Sequence, residues 1–209
     1  MIPVKILAVR YLANASPALA KGLGAPAGMP SLGMLTTDCD DATYIALDAA
    51  TKAADVQVSY GRSFYAGAAN ASTPNAGEVI GVLAGATPGA VRSGMEAALS
   101  ALERVGFEET KGVPYLAHTV ASVGSFLAKE AGIPVGSAIA YLIAPPLEGM
   151  YAMDAALKAS DVKLCKLYAP PSETNFGGGL LTGTQSACEA ACTAFAEAVK
   201  EVAARPVEG

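Results

Sequence analysis

The chain contains no tryptophan and a single histidine, His118. Asp, Glu, Lys and Arg together make up 16% of its 209 residues, against about 25% in ordinary soluble domains. Basic residues are not in excess either. The net charge is −5 and no Lys/Arg cluster occurs, which argues against nucleic acid or an anionic membrane surface as a partner. Long hydrophobic segments are missing too: the longest apolar run, Ile133 to Leu147, is too short to span a bilayer and contains Pro145 and Pro146. The opening "MIPVKILAVRYLANASPALA" carries Lys5 and an Ala-x-Ala-like end. Arg10 interrupts its apolar patch, so it is not read as a secretory leader. P-loop, GxSxG and CxxC patterns are all absent, which removes the commonest signatures of phosphate, acyl-transfer and redox chemistry.

What remains is apolar and small. Hydrophobic residues account for 52% of the chain, and a chain so poor in charge is expected to hide part of its outside by self-association. Its length suits one large domain or two of about 100 residues.

An internal repeat decides between these. "LDAATKAADVQV" (Leu47 to Val58) recurs as "MDAALKASDVKL" (Met153 to Leu164), an offset of 106. The same offset sets "SLGML" from Ser31 against "SAIAY" from Ser137, and "LAK" at Leu19 recurs at Leu127, an offset of 108. "LAGATPGAV" (Leu83 to Val91) parallels "LTGTQSAC" (Leu181 to Cys188). The chain is therefore read as a tandem duplication, residues 1–106 and 107–209.

Each copy predicts the same elements. A strand (Leu32 to Thr36; Ile139 to Ile143) precedes a helix (Thr43 to Ala54; Met150 to Ser160). A β-rich segment, a Gly/Asn/Ser/Pro-rich loop and a closing strand follow. The last helix is capped by Thr87 with Pro88 in first position, and in the other copy by Thr184 or Ser186. Its apolar stripe is Val91, Met95, Ala98, Leu102, matched by Cys188, Cys192, Phe195, Val199. A further strand pattern, "VKILAVRYL" or "PYLAHTVAS", lies ahead of each copy. The class is α+β, a small antiparallel sheet backed by helices in each half.

Three features bear on function. The turn "TTDCDD" crowds Asp38, Asp40 and Asp41 together. It admits a metal-holding catalytic cluster, a solvated turn in which Asp40 or Asp41 caps the next helix, or an acidic rim for a cation. The second copy has Ala144, Pro145 and Pro146 there, so any such site is made once per chain. The loop from Ala66 to Gly77 is nearly free of charge and reads as a hairpin loop or as a gate. Cys188 and Cys192 are spaced for one helical face that is otherwise apolar, which favours core thiols over metal ligands, and Cys39 and Cys165 show no metal spacing. His118 stands where Arg10 stands in the first copy; with no partner ligands it reads as a structural or interface residue.

"SLGML" and "DAATKAADV", followed by "GEVIGVLAGATPGAVRSGMEAAL", resemble the shell-protein domain of bacterial microcompartments. Two such domains, each preceded by its extra strands, resemble the circularly permuted tandem class. The strings "YGRSFYAGAANAS", "AYLIAPPLE", "PPSETNF" and "LLTGTQSACEAAC" are similar to its ethanolamine-utilisation branch over nearly the whole chain. The segment "EETKGVPYLAH" after Phe107 is shorter than that branch usually has.

The resemblance implies two tandem, circularly permuted ferredoxin-like domains and a non-enzymatic homotrimer tiling a microcompartment shell in the cytoplasm beside other shell proteins. It implies no cofactor, no metal and no catalytic residue. It further implies small pores where ethanolamine would meet Asp40, Asp41, Tyr65, Glu78, the backbone near Phe107, Glu173 and Thr174. A gate over a central pore would be formed by Ala66, Gly67, Ala68, Ala69, Asn70, Ala71 and Ser72. A ligand-sensing α+β module, or a metal-dependent enzyme using Asp38, Asp40 and Asp41, are the alternatives.

Overall fold

Strand and helix patterns resolve into nine strands and six helices among the described residues. The computed structural model of the chain describes residues 1–64, 78–170, 172 and 174–207. The chain divides into two compact units, each with one antiparallel sheet backed by helices.

The first unit comprises Pro3–Gly106 together with Gly124–Leu127. Its elements are β1 (Ile6–Leu12), α1 (Pro17–Gly22), β2 (Ser31–Thr37), α2 (Asp40–Ala53), β3 (Val56–Phe64), β4 (Glu78–Gly85) and α3 (Pro88–Leu102). The strand order is β1-β2-β4-β3, and α2 packs beside α3 over the sheet. The second unit comprises residues 1–2, 107–123 and 128–209. It holds β5 (Glu108–Thr110), β6 (Val113–Val120), β7 (Ala138–Ala144), α5 (Pro146–Ala159), β8 (Val162–Tyr168), β9 (Gly177–Gly183) and α6 (Gln185–Ala204), in the order β5-β6-β7-β9-β8. A short helix α4 (Ser125–Ala131) lies between β6 and β7 in sequence; its opening residues cluster with the first unit.

Strand pairing corrects the repeat by one residue. Ser31 pairs with Gly85 and Ala138 pairs with Gly183, while Val56 and Val162 pair with the same two glycines. Ser31 therefore corresponds to Ala138, not Ser137, an offset of 107 in the strands against 106 in the helices that follow. The physical reason is burial. Every residue of β7 is buried, and β2 is buried or half-buried throughout. Central strands covered on both faces carry apolar residues without alternation, so the sequence does not fix their phase. The extra residue lies in the β2–α2 turn, where Asp38 and Cys39 stand against Pro145 alone.

The helices that follow β2 and β7, α2 and α5, start earlier than their periodicity predicts. In α5 the reason is Pro146 at the first helical position, where a missing N–H costs nothing. Thr87 caps α3 by accepting the Ala90 N–H at 3.2 Å. Thr184, rather than Ser186, caps α6 by accepting the Ala187 N–H at 3.1 Å. Both predicted stripes are buried in full. In the second unit they meet Leu142, Met153 and Leu181, and the thiols of Cys188 and Cys192 are part of that core. Cys192 Sγ lies 3.3 Å from Thr119 Oγ1, and burial pushes its pKa up to about 11.

Sequence periodicity gives no sign of β5. It pairs with β6 across a turn at Lys111 (φ 49°) and Gly112 (φ 80°), the left-handed pair typical of a tight hairpin. Gly178 is required by close approach: a Cβ there would lie 1.9 Å from the Leu142 carbonyl oxygen.

Candidate ligand-binding site

The acidic turn is built from the end of β2 and the first turn of α2. The buried Thr37 hydroxyl lies 3.0 Å from the Cys39 carbonyl oxygen and 2.7 Å from Thr43 Oγ1, and it accepts the Cys39 N–H at 3.1 Å. These bonds close the turn from inside and fix where the helix begins.

Cys39 is the N-cap of α2 and makes no capping bond with its side chain. Asp40 and Asp41 are not the cap, as the sequence suggested, but the first two helical residues. There the positive end of the helix dipole favours them. Asp40 Oδ1 accepts the Asp41 N–H at 2.9 Å, and Oδ2 accepts the Ser63 hydroxyl of β3 at 2.5 Å. Both aspartates are buried. Burial raises the Asp40 pKa, opposed by the hydrogen bond from Ser63.

Asp38 is committed elsewhere. Its Oδ1 accepts the Lys5 N–H at 2.8 Å and its own N–H donates to the Lys5 carbonyl at 3.2 Å, tying the turn to the chain ahead of β1. The three aspartates divide: Asp38 turns to Lys5, while the Asp40 carboxyl is hydrogen-bonded to the Asp41 side chain. Among the described residues no group of three or more His, Cys, Asp or Glu side chains is arranged to hold a metal. The Cys39 thiol is held well above its ordinary pKa by burial and then by Asp41, which makes it a poor nucleophile.

Glu78 opens β4 opposite Phe64, and the neighbouring pair is Val79 with Ser63. Since Val79 also faces Thr37, strand register places Glu78 at the same end of the sheet as the acidic turn. The first unit thus brings together Asp40, Asp41, Ser63 and Glu78 at one sheet end. Ser63 was not singled out from the sequence; only its place one residue before the Phe64–Glu78 pair marks it.

The expected residues of the second unit that the structure describes are Phe107 and Thr174. Phe107 is fully buried, its ring 5.7 Å from that of Phe176, and its carbonyl accepts the Ile2 N–H at 2.6 Å. Thr174 sits in a tight turn around Ser172. The Ser172 hydroxyl lies 2.8 Å from the Thr174 carbonyl and 2.6 Å from that of Phe176, and it accepts the Thr174 N–H at 3.2 Å. Phe176 therefore links Phe107 to the Thr174 turn. Tyr65, Glu173 and the gate segment, residues 66–72, lie outside the described residues.

A pair of buried carboxylates at a helix start, each oxygen an acceptor, can hold an ammonium or another small cation.

Comparison with known proteins agrees with this architecture. Residues 31–114 match the family model described as the BMC domain. The chain is 57% identical to the bacterial microcompartment shell protein EutL of Clostridium perfringens, over 99% of this chain and 97% of that protein. The crystal structure of the ethanolamine utilization protein EutL from Leptotrichia buccalis superposes with a TM-score of 0.94 at 57% identity, covering 100% of this chain and 98% of that one. A trimeric bacterial microcompartment shell protein, PduB, shares the fold at 18% identity, with a TM-score of 0.82 over 96% of this chain and 89% of its own.

Proposed function

The chain belongs to the EutL family of bacterial microcompartment shell proteins, and from that premise we propose how its two repeats serve a shell. It is a structural protein, not an enzyme, and its place is the shell of the ethanolamine-utilisation microcompartment. The observation that carries this is full-length likeness to EutL in both sequence and fold.

The working unit is a homotrimer that meets other shell proteins edge to edge and passes small metabolites through pores. Low charge and abundant small residues suit a tile whose rim is covered by neighbours. Asp40, Asp41 and Glu78 bind a cationic metabolite, ethanolamine being an ammonium at neutral pH. What supports this is that the acidic turn occurs in one repeat only and is one residue longer than its counterpart. Burial of Asp40 and Asp41 strengthens their pull on a cation. Tyr65, the backbone at Phe107, Glu173 and Thr174 complete the proposed set, and residues 66–72 gate a wider opening.

Negative-stain electron microscopy of the concentrated protein tests the tile. Flat layers of threefold or pseudo-sixfold particles are expected. Discrete particles that never tile, across a range of salt, would favour a ligand-sensing module instead.

A further inference from the structure

A cavity of about 100 Å³ opens where the end of β1 meets the first turns of α3. Leu12, Leu32, Pro88 and Val91 make apolar walls, and Tyr11 and Arg92 stand beside them. Gly33 brings β2 close against α3: a Cβ there would lie 2.7 Å from Val91 and 3.0 Å from Met95, with the Tyr11 ring at 3.7 Å. The Tyr11 ring thus lies along the flank of α3, and the Arg92 guanidinium sits 4.9 Å from its centroid.

Arg92 has no other commitment. Among the described residues its guanidinium makes no hydrogen bond or ion pair, although Glu96 stands four residues on, where helical spacing permits a bridge. An aromatic face attracts the charge but leaves the N–H donors in the guanidinium plane open. Pro88, the first residue of α3, brings the positive end of that helix to the same cavity. Ser31 also lines it but is fully engaged. Its buried hydroxyl donates to the Ala13 carbonyl at 2.7 Å, which fixes the wall and leaves no proton for a ligand.

The second unit closes the same place with its own side chains. Matching the caps Thr87 and Thr184 carries Pro88, Arg92 and Met95 to Gln185, Glu189 and Cys192, and strand pairing carries Tyr11 to Thr119. There the Gln185 amide donates to Glu189 at 2.9 Å, and the Thr119 hydroxyl lies 3.3 Å from Cys192 Sγ. In the first unit both pairs are gone. Proline has no side-chain amide, methionine has no thiol, and the acid at the helix surface is replaced by a base. The polar groups of one repeat answer each other, whereas the guanidinium of the other faces a cavity.

We propose that this cavity binds a short-chain carboxylate, its charged end on Arg92 and its alkyl tail between Leu12, Leu32 and Val91. The volume equals the share of about three waters, which suits a tail of one or two carbons and rejects branched acids. A guanidinium meets a planar carboxylate with two parallel hydrogen bonds. Phosphate is tetrahedral and carries more charge, and it would set oxygens against apolar walls that offer them no donor. The inference concerns the single chain and does not rest on the shell reading.

Saturation-transfer difference NMR with sodium propionate tests it, the ionic strength being held constant with sodium chloride. The propionate methyl protons should receive saturation, with a dissociation constant of about 1–10 mM, the range open to so small a ligand held by one charge pair. Arg92→Gln should weaken binding roughly tenfold or more. Arg92→Lys should weaken it roughly threefold to tenfold, because lysine keeps the charge but not the paired geometry. Arg104→Gln, just past the other end of α3, should leave binding unchanged. Arg92 and Arg104 are both exposed, so circular dichroism and sedimentation of all three variants should match the parent. Acetate should displace propionate, and branched pivalate should do so roughly tenfold less well. Absent transfer, equal binding by Arg92→Gln, or displacement by phosphate as effective as by acetate would each overturn the inference, the last by reducing the site to a general cationic patch.

Discussion

Asp48 Oδ1 accepts the backbone N–H of Leu127 at 2.9 Å, joining residues 79 positions apart. Oδ2 takes the Gly124 N–H at 2.7 Å and lies 3.5 Å from the Lys52 ammonium. A fully buried carboxylate is normally a liability. Here two charge-assisted bonds to backbone amides and one cation compensate it, and in return the first unit recruits a segment from the far side of the β5–β6 hairpin.

Asp48→Ala should therefore be among the most damaging single changes in the first unit. It strands two backbone N–H groups and leaves a void, a loss of about 2–4 kcal/mol. The repeat-equivalent Asp154→Ala, measured at dilutions where copies are separate, should cost less than about 0.5 kcal/mol because Asp154 is exposed. Urea unfolding of both variants checks this; equal losses would mean that the recruited segment is not what Asp48 stabilises.

How far this was legible in the sequence varies by element. The duplication, the strand–helix order and both last-helix stripes follow from repeated strings and helical spacing, signals local to each copy. The one-residue phase of β2 against β7 does not, because both strands are buried on both faces and carry no alternation. The β5–β6 hairpin was missed because its turn is Lys111–Gly112, which lacks the usual Asn or Asp at the first left-handed position. Of the acidic site, residue types and the single occurrence were legible. The partition was not: Asp38 bonds the backbone of Lys5, just ahead of β1, and Asp40 bonds Ser63 of β3, and both partners are remote in sequence.

Asp40 gives a pH prediction. Its pKa is raised in the folded chain, chiefly by burial, so between its ordinary value of 3.8 and the folded value the native state binds more protons than the unfolded state. Stability from this group is therefore greatest below 3.8 and declines as pH rises through the raised value. Asp40→Asn should remove that decline. The amide keeps the contacts to the Asp41 N–H, through Oδ1, and to Ser63 Oγ, through Nδ2, and it removes one charge from the pair that Asp40 makes with the Asp41 side chain. The variant should be at least as stable as the parent at neutral pH, by up to about 1 kcal/mol. Unfolding free energies measured across pH 4 to 8 with an unchanged slope in Asp40→Asn would show that another group sets it.

The thiols offer a third prediction. Cys39, Cys188 and Cys192 are buried and Cys165 is half-buried. Burial raises the pKa of all four, that of Cys192 to about 11, so little thiolate is present at pH 8. A thiol-reactive chromophore should titrate Cys165 slowly in the native chain and all four cysteines after denaturation. Rapid native labelling of Cys188 or Cys192 would mean that the α6 stripe opens readily and that the second core is looser than its packing implies.

The acidic turn gives the decisive prediction for ligand binding, because its three aspartates have different commitments. Asp41 and Glu78 are placed in the proposed cation site, whereas Asp38 is spent on the Lys5 backbone. Asp41→Asn and Glu78→Gln keep the size of each side chain and remove its charge. Either should weaken ethanolamine binding about tenfold to a hundredfold, the worth of one charge-assisted hydrogen bond. Asp38→Asn should leave it unchanged, since the amide oxygen can still accept the Lys5 N–H. Calorimetric titration with ethanolamine hydrochloride, each variant first shown to sediment as the parent does, separates the cases. Unchanged affinity in Asp41→Asn and Glu78→Gln would take both residues out of the site. An equal loss in Asp38→Asn would show that the ligand responds to the net charge of the turn rather than to particular carboxylates.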